Sequence, residues 1–264
     1  MSRITHHVNK KLAREIVQKY ENFLFDCDGV LYHGNEAIPG CAKALQKLKQ
    51  LGKRVFYVTN NSSKTRAQMV EKCQSMGYPA EPDSIICTAH TAALYLKRMN
   101  FEGKVYMVGN PSMEAECDAL GIKHEGSGIN CVLVGFDPHL SYVKMIKAST
   151  YARNPNNLFL ATNEDYFLPH KGDVVIPGTG SIVAAIKIPT RREPHVLGKP
   201  GTAMFDLLHE IHGLDADKCV MGLTIFSVLK PTSSQMIPTN GRLFPISIWR
   251  VSETWRNTYK TCDF

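Results

Sequence analysis

Phe23-Leu24-Phe25-Asp26-Cys27-Asp28-Gly29-Val30-Leu31 is a short apolar run that ends abruptly in two carboxylates. Three consecutive large hydrophobes predict a strand buried on both faces of a parallel sheet, and ligands of open α/β sheets bind just outside the carboxyl ends of such strands. Side chains alternate along an extended chain, so residues i and i+2 point the same way and Asp26 and Asp28 can share one crevice. Two negative groups held that close need a cation or a shared proton. A bound Mg²⁺ would serve. A carboxylate there can also attack phosphorus, while a second passes a proton to the leaving oxygen and later takes one from water. Gly29 would let the backbone come close to metal and phosphate. An isolated Asp-x-Asp is also common as two solvated side chains in a turn, so the rest of the chain has to decide.

Working outward, residues 11–20 read as a helix leading into this strand. Cys41, Ala44, Leu45, Leu48 and Leu51 form a helical stripe opened by Ile38-Pro39-Gly40 and ended by Gly52, and Arg54-Val55-Phe56-Tyr57-Val58 follows as a second buried strand. Strand, helix, strand in this order predicts a right-handed crossover in a parallel sheet. The second strand ends in Thr59-Asn60-Asn61-Ser62-Ser63, which puts a hydroxyl and amide donors beside Asp26 at the mouth of a helix over 65–76. A strand at 85–87 and a helix over 88–99 complete this segment. Strands at 105–108, 130–134 and 158–161 then alternate with helices over 113–120 and 141–152, which predicts a second α/β layer inserted into the first. Pro177-Gly178-Thr179-Gly180-Ser181 precedes an apolar helix over 182–186 but lacks the Lys-Ser/Thr ending of a nucleotide P-loop, which removes the best support for an ATPase. The chain returns through His195-Val196-Leu197-Gly198-Lys199-Pro200 and a helix over 202–211.

Asp-Cys-Asp-Gly-Val-Leu, Thr59-Asn60-Asn61 and Gly198-Lys199-Pro200, in that order, resemble the first three motifs of the haloacid-dehalogenase-like phosphatases. The likeness is to the eukaryotic phosphoglycolate, pyridoxal-phosphate and 4-nitrophenyl phosphatase subgroup, and it runs from about residue 22 to residue 221. It implies a Rossmann-like parallel-sheet core over 1–98 and 193–221, with an inserted α/β cap over 99–192 that closes over the site. It further implies a Mg²⁺-dependent phosphomonoesterase acting on small phosphorylated metabolites such as 2-phosphoglycolate or 4-nitrophenyl phosphate. Asp26 would be the nucleophile and Asp28 the acid and base, with both at the metal. Thr59, Asn60 and Asn61 would hold phosphate oxygens, and Lys199 would balance charge. Ala161-Thr162-Asn163-Glu164-Asp165-Tyr166-Phe167-Leu168-Pro169 corresponds to the family's substrate-specificity loop. Leu168 stands where pyridoxal-phosphate relatives carry His, and with Thr-Asn-x-Asp it resembles the phosphoglycolate branch. Relatives often pair through their caps, so the cap is the face through which a homodimer would form, although the sequence does not set the oligomeric state.

The pattern then breaks. The family would continue after Val220-Met221 with a Gly-Asp and Thr-Asp motif, but no Asp or Glu occurs between Gly222 and Glu253. Residues 222–264 read as an atypical tail, as a frameshifted or mis-spliced frame would, and the carboxylate that completes the Mg²⁺ site is missing. Hard cations need several oxygen ligands, so weaker metal binding is expected. The alternative reading is therefore a catalytically impaired phosphate-binding remnant.

Composition sets the remaining limits. The 264 residues are 44% apolar, enough for a real core, and no run is long enough to span a bilayer. Residues 1–10 lack the apolar stretch of a signal peptide, so a soluble, cytoplasmic protein is expected. Eight cysteines without a Cys-x-x-Cys pair predict buried reduced thiols. The net charge of +7 is spread along the chain rather than clustered with aromatic residues, which argues against a nucleic-acid partner. A metal-free dehalogenase is disfavoured because Asp28 suits proton transfer to an oxygen leaving group.

Overall fold

The computed structural model describes residues 10–124, 126–168, 173–222 and 248–250. The chain opens with α1 (Lys10–Lys19), β1 (Asn22–Phe25), a hairpin of β2 (Tyr32–His33) and β3 (Glu36–Ala37), α2 (Cys41–Gln50), β4 (Arg54–Thr59), α3 (Arg66–Ser75), β5 (Ile85–Cys87) and α4 (Thr88–Arg98). A second unit follows with β6 (Lys104–Val108), α5 (Pro111–Ala119), β7 (Ile129–Val134), α6 (Tyr142–Arg153), β8 (Leu158–Ala161), β9 (Phe167–Leu168), β10 (Ile176–Pro177), α7 (Thr179–Thr190) and β11 (His195–Val196). The chain then adds α8 (Ala203–His212), β12 (Cys219–Gly222) and β13 (Ile248–Arg250).

The first sheet has the order β13-β12-β1-β4-β5, so the strand that ends at Asp26 lies in the middle. β1 pairs parallel with β4 and with β12, setting Phe25 beside Tyr57 and Gly222, and β13 pairs antiparallel with β12. Alternation along the strands explains why three large hydrophobes in a row are needed. Phe23, Phe25, Val55 and Tyr57 face one apolar cluster with α2 and α3. Leu24, Phe56 and Val58 face another with Met204 and Leu208 of α8. Both faces of the sheet are covered, as a doubly wound α/β core requires.

The second sheet, order β11-β8-β7-β6, is parallel throughout. Val132 and Val134 of β7 pack on α6 and α7, whereas Cys131 and Leu133 join Met113 and Cys117 of α5 in the same cluster that fills one side of the core. Core and cap therefore share apolar packing. β11 pairs with β8, so the cap sheet takes its edge strand from beyond residue 192, where the sequence reading returned the chain to the core. That two-residue strand looks in sequence like the start of the Gly-Lys-Pro turn, and its partner lies 35 residues upstream.

Two helix limits also move. Asn110 caps the backbone N–H of Ser112 at 3.2 Å, so α5 starts at Pro111. Gly178 serves as the N-cap of α7, and Thr179, Gly180 and Ser181 form its first turn rather than a loop. Seven cysteines lie among the described residues, and all are unpaired and buried. No helix among the described residues is long and apolar enough to cross a membrane. Of the tail, only Gly222 and β13 lie among the described residues, so the expectation of a foreign reading frame over 222–264 falls almost wholly outside them.

Candidate active site

The carboxyl edge of the first sheet gathers the polar groups that the motifs supply. The Nζ of Lys199 lies 2.7 Å from Oδ1 of Asp26 and donates to the carbonyl oxygen of Val58 at 3.0 Å. The same Oδ1 accepts the backbone N–H of Cys27 at 2.8 Å. Both contacts fall on one oxygen. The Lys199 side chain is only 7% exposed against 28% for Asp26, so the cation is sunk behind a carboxylate that still reaches solvent.

Asp28 follows on the loop that folds back through the Leu31 N–H to Cys27 carbonyl bond of 2.9 Å. Its Oδ2 accepts from the Thr59 hydroxyl at the long distance of 3.5 Å. Burial raises its pKa. Lys72 of α3 pulls it down, Asp26 pushes it up and Lys199 pulls it down, and the balance stays above the ordinary value. Such a carboxyl group is easier to protonate, as an acid catalyst near neutral pH must be. The Lys72 amine sits 3.7 Å from the centroid of the buried Tyr32 ring, a cation–π contact that holds it near Asp28. Gly29 has φ 79°, and an added Cβ would meet nothing within 4 Å. The position requires glycine for its left-handed backbone.

The side chains of Asn60 and Asn61 are both engaged by protein partners. The Asn60 amide oxygen accepts the backbone N–H of Lys199 at 2.8 Å, and its NH₂ donates to the Lys199 carbonyl at 3.0 Å. The remaining NH₂ donor points to both carboxylate oxygens of Asp165, at 3.1 and 3.2 Å. Asn61 Oδ1 accepts the backbone N–H and hydroxyl of Ser63, at 2.8 and 3.0 Å, and so shapes the turn. Thr59 Oγ1 accepts the Asn61 N–H at 3.2 Å. In this arrangement both polar atoms of the Asn60 side chain have protein partners. Gly198 is explained by the same clamp, since a Cβ there would stand 2.3 Å from the Thr162 carbonyl and 2.8 Å from Asn60 Oδ1.

The cap reaches the site through residues 162–165. Asn163 donates to the Asn60 carbonyl at 2.8 Å and accepts the Asp165 N–H at 3.1 Å. Burial raises the Asp165 pKa, while the Asn60 hydrogen bond and Lys199 oppose it and the Asp26 charge adds to it. Leu168 is three residues further along, half-buried on β9 against Ile176, and joins the site only through the loop that carries it. Asp165, Asn163 and Lys72 are the site residues that sequence reasoning did not assign. The first two sat in a quoted loop, but nothing local links residue 165 to residue 60.

A central parallel strand ending in paired carboxylates, a buried lysine on the first of them and a cap loop bonded to Asn60 beside that lysine have the layout of an α/β hydrolytic centre. The family model for haloacid dehalogenase-like hydrolases matches residues 23–123. Human glycerol-3-phosphate phosphatase is 37% identical over 238 residues, which span 79% of this chain and 74% of that protein. The solved 4-nitrophenylphosphatase of Thermotoga maritima superposes with a TM-score of 0.73 at 29% identity, covering 78% of each chain. A glycerol phosphate phosphatase of Mycobacterium tuberculosis, solved in complex with magnesium, superposes with a TM-score of 0.66 at 27% identity over 74% of this chain and 59% of that one. The chain belongs to the haloacid dehalogenase-like hydrolases.

Proposed function

We propose that the protein hydrolyses small phosphomonoesters through a phosphorylated Asp26. The single observation that carries this reading is the Lys199 amine 2.7 Å from Asp26, with Asp28, whose pKa burial raises, two residues on. Asp26 attacks phosphorus, forming an O–P bond as the ester P–O bond breaks, and Asp28 gives its proton to the leaving oxygen. Water then attacks the same phosphorus, Asp28 takes its proton, and the Asp26–P bond breaks to release inorganic phosphate. Lys199 and the Thr59 hydroxyl offset the charge that gathers on the phosphoryl oxygens.

The donor set suits Mg²⁺ in chemistry. It offers hard oxygens from Asp26 and Asp28, and Mg²⁺ commonly binds through one or two carboxylates with water and substrate phosphate. When bound, the ion would neutralise the crowded carboxylates and the incoming phosphate. Among the described residues, no cluster of three or more His, Cys, Asp or Glu completes the set. That shortage is what keeps the second reading, an impaired phosphate binder, in play.

Similarity to a glycerol-3-phosphate phosphatase and a 4-nitrophenylphosphatase favours glycerol-3-phosphate or 4-nitrophenyl phosphate as substrates, and Leu168 in the specificity loop leans to 2-phosphoglycolate. Buried, unpaired cysteines suit the cytoplasm. Tyr142, Val143 and Ile146, exposed along α6, support pairing of two copies through the cap.

Hydrolysis of 4-nitrophenyl phosphate with Mg²⁺ and with chelator, beside Asp26→Asn, tests the reading. Mg²⁺-dependent release of phosphate by the native chain alone is the expected result. Equal rates in all samples would leave only the phosphate binder. A panel of 2-phosphoglycolate, glycerol-3-phosphate and pyridoxal phosphate then ranks substrates.

A further inference from the structure

Among the described residues, the carboxylate of Asp165 is the one acidic group of the cap hydrogen-bonded to the Asn60–Lys199 clamp, and its surroundings set its position from two sides. On the cap side, the Gly180 N–H donates to the Asp165 carbonyl at 2.9 Å and the Gly178 N–H to the Tyr166 carbonyl at 2.9 Å. A Cβ at Gly178 would lie 2.2 Å from the Asp165 carbonyl oxygen, and one at Gly180 2.6 Å from that of Glu164. The glycines of Pro-Gly-Thr-Gly-Ser are therefore the condition for seating this loop against α7. On the core side, the carboxylate receives the Asn60 NH₂ at 3.1 and 3.2 Å. Only one orientation of the Asn60 amide satisfies these contacts. Turned over, its oxygen would face the Asp165 carboxylate and the Lys199 carbonyl, and its NH₂ the Lys199 N–H.

We infer that Asp165 is a positioning residue: through the Asn60 amide it fixes the backbone of Lys199, and thereby tells the nucleophilic centre whether the cap loop is seated. Without Asp165 the amide loses the one partner that ties it to the cap loop, and the two bonds that hold Lys199 are left without that support. The amine 2.7 Å from Asp26 then gains freedom. A displacement of about 1 Å in such a group can cost on the order of 100-fold in rate. The inference rests on the phosphatase reading for its kinetic consequence, but the mechanical link does not.

Three variants test it, each measured two ways. Steady-state hydrolysis of 4-nitrophenyl phosphate gives kcat and KM, and hydrogen–deuterium exchange over residues 197–201 reports the hold on Lys199 without any turnover. Asp165→Ala is expected to lower kcat by about 10- to 100-fold with KM changed less than about threefold, and to speed exchange over 197–201. Asp165→Asn keeps an oxygen for the Asn60 NH₂ and should stay within about threefold of native on both readouts. Gly180→Ala displaces the loop without removing the carboxylate and should follow Asp165→Ala, which keeps a test available if the alanine variant does not fold. An Asp165→Asn protein as inactive as Asp165→Ala with native exchange would mean that the carboxylate acts on substrate or protons directly, and the inference would fall. A change in KM alone, or native behaviour on both readouts, would overturn it as well. If the native chain hydrolyses nothing, the phosphatase reading fails, while the exchange data still decide the link.

Discussion

Glu116 is the cap residue whose loss should cost the fold most. It lies on α5 with its side chain 8% exposed, and its Oε2 is 2.8 Å from Nδ1 of His90 on α4. Its Oε1 accepts the backbone N–H of Arg66, at the start of α3, at 2.5 Å. One carboxylate from the cap thus pairs a buried imidazole and caps a core helix. Removing that carboxylate leaves the His90 imidazole and the Arg66 N–H without their buried acceptor, each costing about 1–3 kcal/mol, together a large share of the 5–15 kcal/mol typical of a whole domain. Glu116→Ala is therefore expected to lower the unfolding free energy by about 3 kcal/mol or more, read as a fall in the urea midpoint at pH 7 with the slope preserved. Glu116→Gln keeps an acceptor for Arg66 and should cost less.

The pH dependence has a definite sign. Burial alone would raise the Glu116 pKa, but the His90 hydrogen bond and the Arg66 N–H together hold it below the ordinary glutamate value. A folded pKa below the unfolded one contributes stability that is fully present above the unfolded value, about 4.3, and is lost as pH falls through the folded one. The gap in stability between native protein and Glu116→Gln should therefore be widest near neutral pH and close progressively below about pH 4. A gap unchanged between pH 7 and pH 3, or an alanine variant as stable as native, would refute the assignment.

Three further outcomes follow from the geometry. Lys199→Met should lower kcat on 4-nitrophenyl phosphate by about 100- to 1000-fold, the scale of losing one preorganised charge partner, and a loss below tenfold in initial-rate assays would exclude Lys199 from charge balance. Gly198→Ala places a Cβ 2.3 Å from the Thr162 carbonyl, so thermal unfolding should show a drop of several degrees, equivalent to about 1–3 kcal/mol of overpacking. Ile146→Glu puts a charge amid exposed Tyr142 and Val143 on α6; if two copies pair through that face, sedimentation velocity should find a dimer for the native chain and monomer for the variant, whereas equal sedimentation of the two would clear α6 of the contact.

The parallel core was legible because its signal is local. Phe23, Leu24 and Phe25 are apolar in succession, and each strand is closed by Gly, Pro or a polar cluster within a few residues. The placement of Asp26 at the carboxyl edge, beside the second strand's Thr59, followed from strand order alone. What stayed hidden depends on long-range contact. Asn60 meets Lys199 across 139 residues and Asp165 across 105, and no periodicity records such pairings. An Asn after a strand serves equally well as a phosphate donor or as a clamp, and only geometry separates the two. The hairpin of β2 and β3 has two residues per strand, below the length at which alternation can be seen. Glu116 and His90 look like ordinary polar positions of amphipathic helices, since the face that buries them belongs to another unit.

The loop between β8 and α7 divides into two stretches with different freedoms. Residues 163–165 are tied to Asn60 and to the glycines of α7, whereas Leu168 shares only the short β9–β10 ladder. A loop exchange meant to redirect substrate preference should therefore leave residues 163–165 in place, since one that includes them would unhitch the lysine along with the selectivity. Recognition can drift on this scaffold while the chemistry stays put.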